Sequence, residues 1–530
     1  MQKCYLFTIL SIFLLGATTL QAQRIVPVTT DPMNPTDIFQ TIMGDTTATG
    51  ERVDNNTVYQ LQNGGVYISS GRIVNKPEWP LQIEAADLTD TDNKAIITRV
   101  PNASGDFQDI MRSEGDVTFR NIWIISGEKG ALEQHDWGKM RILGENSRII
   151  VQDCIIEKDR GGFLQLRANG VKMYVENTVL RNGGNRRIIQ GNGRGIDARD
   201  FALDTLIMHN VIVHNIQDRF FRSQGGTAPH NYIEIDHCTS FNTIGRHGHI
   251  QLGRVRNAKI TNNVFMNPIM LGSSPVYTNE QTQPDNDLHK VITIDTLLED
   301  TNLEIAANNI FWTEDVTNYW ASNDTVSAPG VLSDLVMDNL GAAASDAFFS
   351  EVLELESVPT SILQYVIDLY DNPEATDMFD FIVEDQVVAG TAFDSGNLFD
   401  FSSFSPCYAP SAMSATAGLD GGPIGAVDTC EDLLNDINEL NVNAALALAV
   451  APNPVSATST LSFTTSESGR VALSVYDLMG RQLVNLHDGF LMNGTHQFDW
   501  APSDAIKSGM YIVYLRTEEG QMSTRVVVSK

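Results

Sequence analysis

The sequence predicts an all-β chain: a right-handed parallel β-helix followed by a small second β domain. Three observations carry the expectation. Seven alternating apolar and polar segments recur through the middle of the chain. Each carries one polar residue at a fixed point. Beyond residue 430 the pattern gives way to a linker and then to a fresh set of short strands.

The chain opens with Lys3, an apolar run from Tyr5 to Leu15 and the small, polar "GATTLQAQ". That order is a secretory signal peptide, residues 1–22, with cleavage expected after Ala22. Cys4 lies too early to be a lipoprotein anchor. The apolar run is short for a bilayer, and no later segment approaches the ~20 apolar residues that a transmembrane helix needs.

The repeats are "VTFRNIWI" (117–124), "IIVQDCII" (149–156), "KMYVENTVL" (172–180), "LIMHNVIV" (206–213), "IEIDHCTS" (233–240), "KITNNVFM" (259–266) and "IAANNIFW" (305–312). Their fixed polar residues are Asn121, Asp153, Asn177, Asn210, His237, Asn263 and Asn309, spaced by 32, 24, 33, 27, 26 and 46 residues. Strict alternation, β-branched residues and Gly/Asn boundaries read as strands. Irregular coils of this length fit a solenoid whose loops vary while its strands stack. The recurring Asn then forms a ladder at one bend, bonding the backbone of the turn and of the next coil. That role is structural.

The β-helix with its caps is expected over 23–430. "GGVYISSG" and "WPLQIEA" supply its first coils. At the far end "SILQYVIDLY" reads as helix and "GLDGGPIGAV" as a turn-rich closing segment. Cys154 and Cys238 each follow a ladder residue three coils apart, about 14 Å at ~4.8 Å per coil. That is too far for a disulfide, so both should be buried thiols. Cys407 and Cys430 are the remaining candidate pair, and no Cys/His spacing suggests zinc.

Residues 431–450 form the linker. After it come "APNPVSATSTLSFT", "VALSVYDLMGRQLVNL", "NGTHQFDW" and "IKSGMYIVYLRTEEGQMSTRVVVSK". Over 451–530 these motifs resemble the C-terminal type A sorting domain of the Bacteroidetes type IX secretion system. The resemblance implies an immunoglobulin-like sandwich, read by the outer-membrane machinery and usually removed, and hence a protein exported to the medium or the cell surface. The central coils resemble the pectate lyase superfamily, in particular its chondroitinase B and alginate lyase type. In that family the catalytic base is a Lys in a "K-S" strand, followed a coil later by an Arg in "R-H-G". Here "FFRSQGG" places Arg222 at the Lys, and "GRHGHIQLG" supplies Arg246, His247 and Gly248, several residues ahead of the family position.

Formal net charge is −31, yet 16 of the 35 Lys and Arg lie between Arg148 and Lys259 against 10 acidic residues, with six of the ten His. From Leu271 to Cys430 there are 27 acidic residues and one Lys. This acidic stretch reads as a solvated surface, with calcium binding as the alternative where carboxylates converge. Counting from the ladder, position +9 is Arg186, Arg219 and Arg246, and +12 is Arg222 and His249. Arginines stacked one coil apart repel by about 1 kcal/mol in bulk water and more in a dehydrated groove. Either neighbouring carboxylates (Asp197, Asp200, Asp218, Glu234) or a polyanion held by bidentate bonds would relieve that.

A polysaccharide lyase cleaving beside a uronate is the first functional expectation. Arg186, Arg219, Arg246 and Arg254 would bind substrate, Arg222 or His249 would abstract the proton, and His247 would protonate the leaving oxygen. A polygalacturonase-like hydrolase needs paired carboxylates, and the coils show no Asp-Asp or Asn-x-Asp. A non-catalytic binder or adhesin with the same groove is the third reading. Acidic polysaccharide and the type IX machinery are the expected partners, with no nucleic acid.

Overall fold

A computed structural model of the chain describes residues 23–125, 140–159, 161–184, 193–245, 247–273, 289–358, 362–364, 366–367, 405–430, 433, 448–465, 468–476, 482–503, 506–507, 509–517 and 520–529. The expected signal peptide, Arg186, Arg246 and most of the linker lie outside these residues, as does part of the helix expected at 361–370.

Each coil visits three parallel sheets. Leu203–His209 lies in the first sheet and Asn210 turns the chain. Ile212–Ile216 enters the second sheet, and Phe221–Arg222 makes a short rung in the third. His230–Asp236 then returns to the first sheet one coil on. Among the described residues the sheets hold ten, eleven and eight strands. Adjacent coils pair in parallel at Met208↔Ile235, Val213↔Ser240 and Phe221↔Ile250. The chain is a parallel β-helix.

Alternation decides which side chains fill it. The first sheet sends Val151, Val175, Met208, Ile235 and Ile260 inward as one stacked row, the second Ile156, Leu180 and Val213, and the third Leu164, Ile196, Phe221 and Ile250. Each such side chain, taken out of water, contributes roughly 1.5–3 kcal/mol. Coils begin at Arg24–Val28, ahead of a helix at Ile38–Gly44 whose N-cap Asp37 accepts from the backbone N–H of Phe39 and Gln40. Helix Glu314–Ala321 lies within the last coil, ahead of its third-sheet rung Gly330–Leu332, and helix Asp334–Leu340 follows that rung. Val316, Tyr319 and Trp320 of the first pack with Ile244, Met270 and Leu271.

The bend ladder is real in five coils and displaced in two. Asn121, Asp153, Asn177, Asn210 and His237 take left-handed φ of 48–53°, which Asn, Asp and His tolerate best. In the next coils the left-handed residues are Asn262 and Ala307, one or two before the expected Asn263 and Asn309. Asn263 instead points inward, where its Nδ2 donates to Ile235 O and Asn308 Oδ1, both at 2.9 Å. Asn121 bonds backbone as expected, its Nδ2 donating to Asp87 O at 3.1 Å and Asp90 O at 2.9 Å. The next rungs instead bond side chain to side chain: Asn210 Nδ2 donates to Asn177 Oδ1 at 2.9 Å, and Asn177 Nδ2 to Asp153 Oδ1 at 3.1 Å.

A second ladder is better buried. Asn182, Asn215, Asn242 and Asn267 are left-handed and at most 4% exposed. Asn267 donates to Asn242 at 3.1 Å and Asn242 to Asn215 at 3.2 Å. Cys154 and Cys238 are reduced and buried, and burial pushes the Cys154 thiol up to about 12.

Residues 353–356 and 405–530 form a second compact unit. In it Cys407 and Cys430 are disulfide-bonded, with Cα atoms 5.4 Å apart. Its C-terminal part is a sandwich of two antiparallel sheets. One holds Ala449–Ala451, Ser459–Thr465 and Gly494–Trp500, and the other Gln482–Leu491, Gly469–Tyr476, Gly509–Thr517 and Gly520–Val528. Leu461, Phe463, Leu473, Val475, Trp500, Val513 and Leu515 close its core.

Candidate functional site

The third sheet carries the polar groups. Its rungs are two to five residues long, so one or two side chains per coil point out. The outward row, in strand register, is Arg112, Arg141, Gln165, Asp197, Arg222, Gln251 and Thr293. Near its first end buried Asp109 gathers Arg112 at 2.7 Å, Arg72 at 3.5 Å and Arg141 at 3.9 Å.

In the middle coils this row joins Arg194, Asp218, Arg219 and His247 in one buried network. Arg194 bridges two carboxylates: its Nε donates to Asp218 Oδ2 at 3.0 Å and its Nη1 to Asp197 Oδ2 at 3.2 Å. Gln165 donates to the same Asp197 oxygen at 3.2 Å. His247 Nδ1 lies 2.9 Å from Asp218 Oδ1. Arg219, 1% exposed, donates to Gln251 Oε1 at 2.7 Å and stands 3.7 Å from Asp218. Arg222, 6% exposed, donates to Gln224 at 3.0 Å and stands 3.7 Å from Asp197. Gln251 in turn donates to Asp295 at 3.0 Å. Half-buried Arg254 lies near enough for its charge to favour ionised Asp295, although burial wins and raises that carboxyl.

Burial raises the cost of ionising Asp197 and Asp218, but the guanidinium and imidazole partners outweigh it. Asp197 falls to about 2 and Asp218 lower still. Burial, with Arg194 and Arg219 adding like charge, pushes Arg222 down to about 9. Even there it is a cation at neutral pH.

These placements change several sequence expectations. Arg219 and Arg222 do not await a polyanion to relieve them; Asp197 and Asp218 already do so. Of the other candidates for that role, Asp200 pairs with Arg199 at 3.7 Å and Glu234 with Lys259 at 3.3 Å on the first sheet. His249 is not beside Arg222. The strand register pairs Arg222 with Gln251, because this coil is two residues longer than the count from the ladder assumed. His249 is fully buried between Phe220 and Phe265, with ring centroids at 5.7 and 5.5 Å, and burial lowers its pKa to about 3. It is a core residue. Finally, an Asp pair does exist: Asp197 and Asp218 meet at Arg194 across 21 residues of sequence. Both are held ionised, whereas glycoside hydrolysis needs one carboxyl kept protonated as the acid.

The second unit's sandwich is decided by comparison with known families. Residues 449–529 match the family model of the secretion system C-terminal sorting domain. The protein is therefore secreted, to the medium or the cell surface, by the type IX route. Among the described residues no helix is long and apolar enough to cross a membrane. No curated protein matches the chain.

Proposed function

We propose that this exported β-helix protein acts on acidic polysaccharide at the third-sheet network and cleaves it by β-elimination beside a uronate. The observation that carries the reading is the His247–Asp218 pair, which Arg194 joins through Asp197 to cationic Arg222. A titratable imidazole oriented by a buried carboxylate is a general acid–base arrangement, and Asp218 also stabilises the imidazolium that forms when His247 takes a proton. Arg222 is the cation for the uronate carboxylate, where it acidifies the C5 proton. His247 removes that proton, the C4–C5 double bond forms as the C4–O bond breaks, and the proton passes to the leaving oxygen. Arg219 and Arg194 position Gln251 and the two aspartates. Arg186 and Arg246 stay in this proposal as further substrate-binding cations on the sequence reading alone.

The charge balance of the network favours one competing reading, a non-catalytic binder in which these residues are scaffold. Incubating the purified protein with alginate, pectin, ulvan and glycosaminoglycans and following ultraviolet absorbance separates the two. Unsaturated product with at least one polymer, lost in His247→Ala, supports the lyase. Absence of product from every uronate polymer refutes it.

A further inference from the structure

On the first sheet, away from that network, a second cluster of side chains has a different chemistry. His209 ends the strand Leu203–His209, and its register partner one coil on is Asp236. The next residue, His237, occupies the bend with φ 49°. In an extended strand consecutive side chains point to opposite faces. The left-handed turn lets Asp236 and His237 present theirs together.

Three donor atoms converge there. His237 Nδ1 lies 2.8 Å and His209 Nδ1 3.6 Å from the same oxygen, Asp236 Oδ2. All three ligand atoms lie within 4.8 Å of one another. Donors bonded to one zinc at about 2.0–2.2 Å with near-tetrahedral angles stand roughly 3.3–3.5 Å apart, so small side-chain adjustments bring the triad around an ion. The other oxygen, Asp236 Oδ1, accepts from Thr261 Oγ1 at 2.5 Å and Asn262 Nδ2 at 2.9 Å. Outer-sphere bonds of that kind fix a ligating carboxylate. His209 is 40% exposed and the other two side chains partly so, which leaves an approach from solvent.

We infer that His209, Asp236 and His237 form a site for a divalent transition-metal ion, zinc by donor type, with the remaining coordination position open to water or an incoming ligand. Two imidazoles and one carboxylate suit zinc, whereas calcium and magnesium take oxygen donors. The site is independent of the third-sheet chemistry, and neither stands or falls with the other.

The test uses the full secreted chain, stripped with chelator and titrated with zinc chloride by calorimetry, with cobalt(II) as an optical probe. The expected result is one equivalent of zinc and the intense visible bands of four-coordinate cobalt. His209→Ala, at an exposed strand end, and His237→Asn, which restores the residue that Asn177 and Asn210 provide at the same bend, should each weaken zinc binding at least tenfold with melting temperature unchanged in the absence of metal. No stoichiometric binding by the parent protein overturns the inference. So does unchanged affinity in both variants.

Discussion

Replacing Asn242 with Leu tests how the inner ladder holds the coils together. Asn242 gives up two bonds: its Nδ2 donation to Asn215 at 3.2 Å and its Oδ1 acceptance from Asn267 at 3.1 Å. The neighbours are 4% and 3% exposed, so water does not replace the lost partner easily. A buried group left unsatisfied costs about 1–3 kcal/mol, and two are affected. A branched apolar residue at φ 50° adds about 1–2 kcal/mol of backbone strain. Together the loss is about 3–8 kcal/mol. Asn177→Leu at the outer ladder removes comparable bonds where water can substitute, and should cost about 2 kcal/mol, mostly strain. Asn242→Gly removes the strain and keeps the bond loss, so it should fall between them. Thermal unfolding of the three variants beside the parent checks the order. If Asn242→Leu and Asn177→Leu melt together, burial of the inner ladder is not what makes it stabilising.

His249→Met should be neutral or stabilising at pH 7 and leave activity intact, because neither ring nitrogen has a hydrogen-bond partner among the described residues. Its pKa is about 3 in the folded state against an ordinary 6.5, so the unfolded chain binds the extra proton between those pH values. Stability from this group is complete above about 6.5 and lost as pH falls toward 3, by several kcal/mol, and His249→Met should flatten that slope in denaturant melts. Arg194→Met removes the cation that bridges buried Asp197 and Asp218, leaving them the longer 3.7 Å contacts of Arg222 and Arg219 with the bonds from Gln165 and His247. It should destabilise by about 3–5 kcal/mol, measured by the unfolding midpoint. Asp197 adds an acid-side dependence of the same sign, its contribution present above about 4 and lost as pH falls toward 2. Deleting 451–530 should leave a folded β-helix that fails to reach the cell surface, read by fractionation and circular dichroism.

The long strands of the first sheet were legible because one face is buried and the other wet, which writes period two into seven-residue segments such as Leu203–His209. Rungs like Phe221–Arg222 and Ile250–Gln251 are too short to show any period. Loop length therefore entered the count from ladder to rung, and an error of two residues exchanged Gln251 for His249. The inner ladder did leave a trace: Asn182, Asn215, Asn242 and Asn267 each stand five residues after a left-handed bend residue. The His209–Asp236–His237 cluster left none, because 27 residues separate His209 from Asp236 and only the coil's length makes them neighbours.

The proposed function rests on His247, oriented by Asp218, doing chemistry on a uronate polymer held by Arg222. The decisive measurement is the rate of ultraviolet-absorbing product for His247→Ala and Arg222→Ala on the responsive polymer, with calorimetric binding and melting temperature taken on the same samples. His247→Ala should abolish product while binding and melting stay near those of the parent, and Arg222→Ala should weaken binding in a way that added salt mimics. Product formation that survives His247→Ala in a folded protein would contradict the proposal.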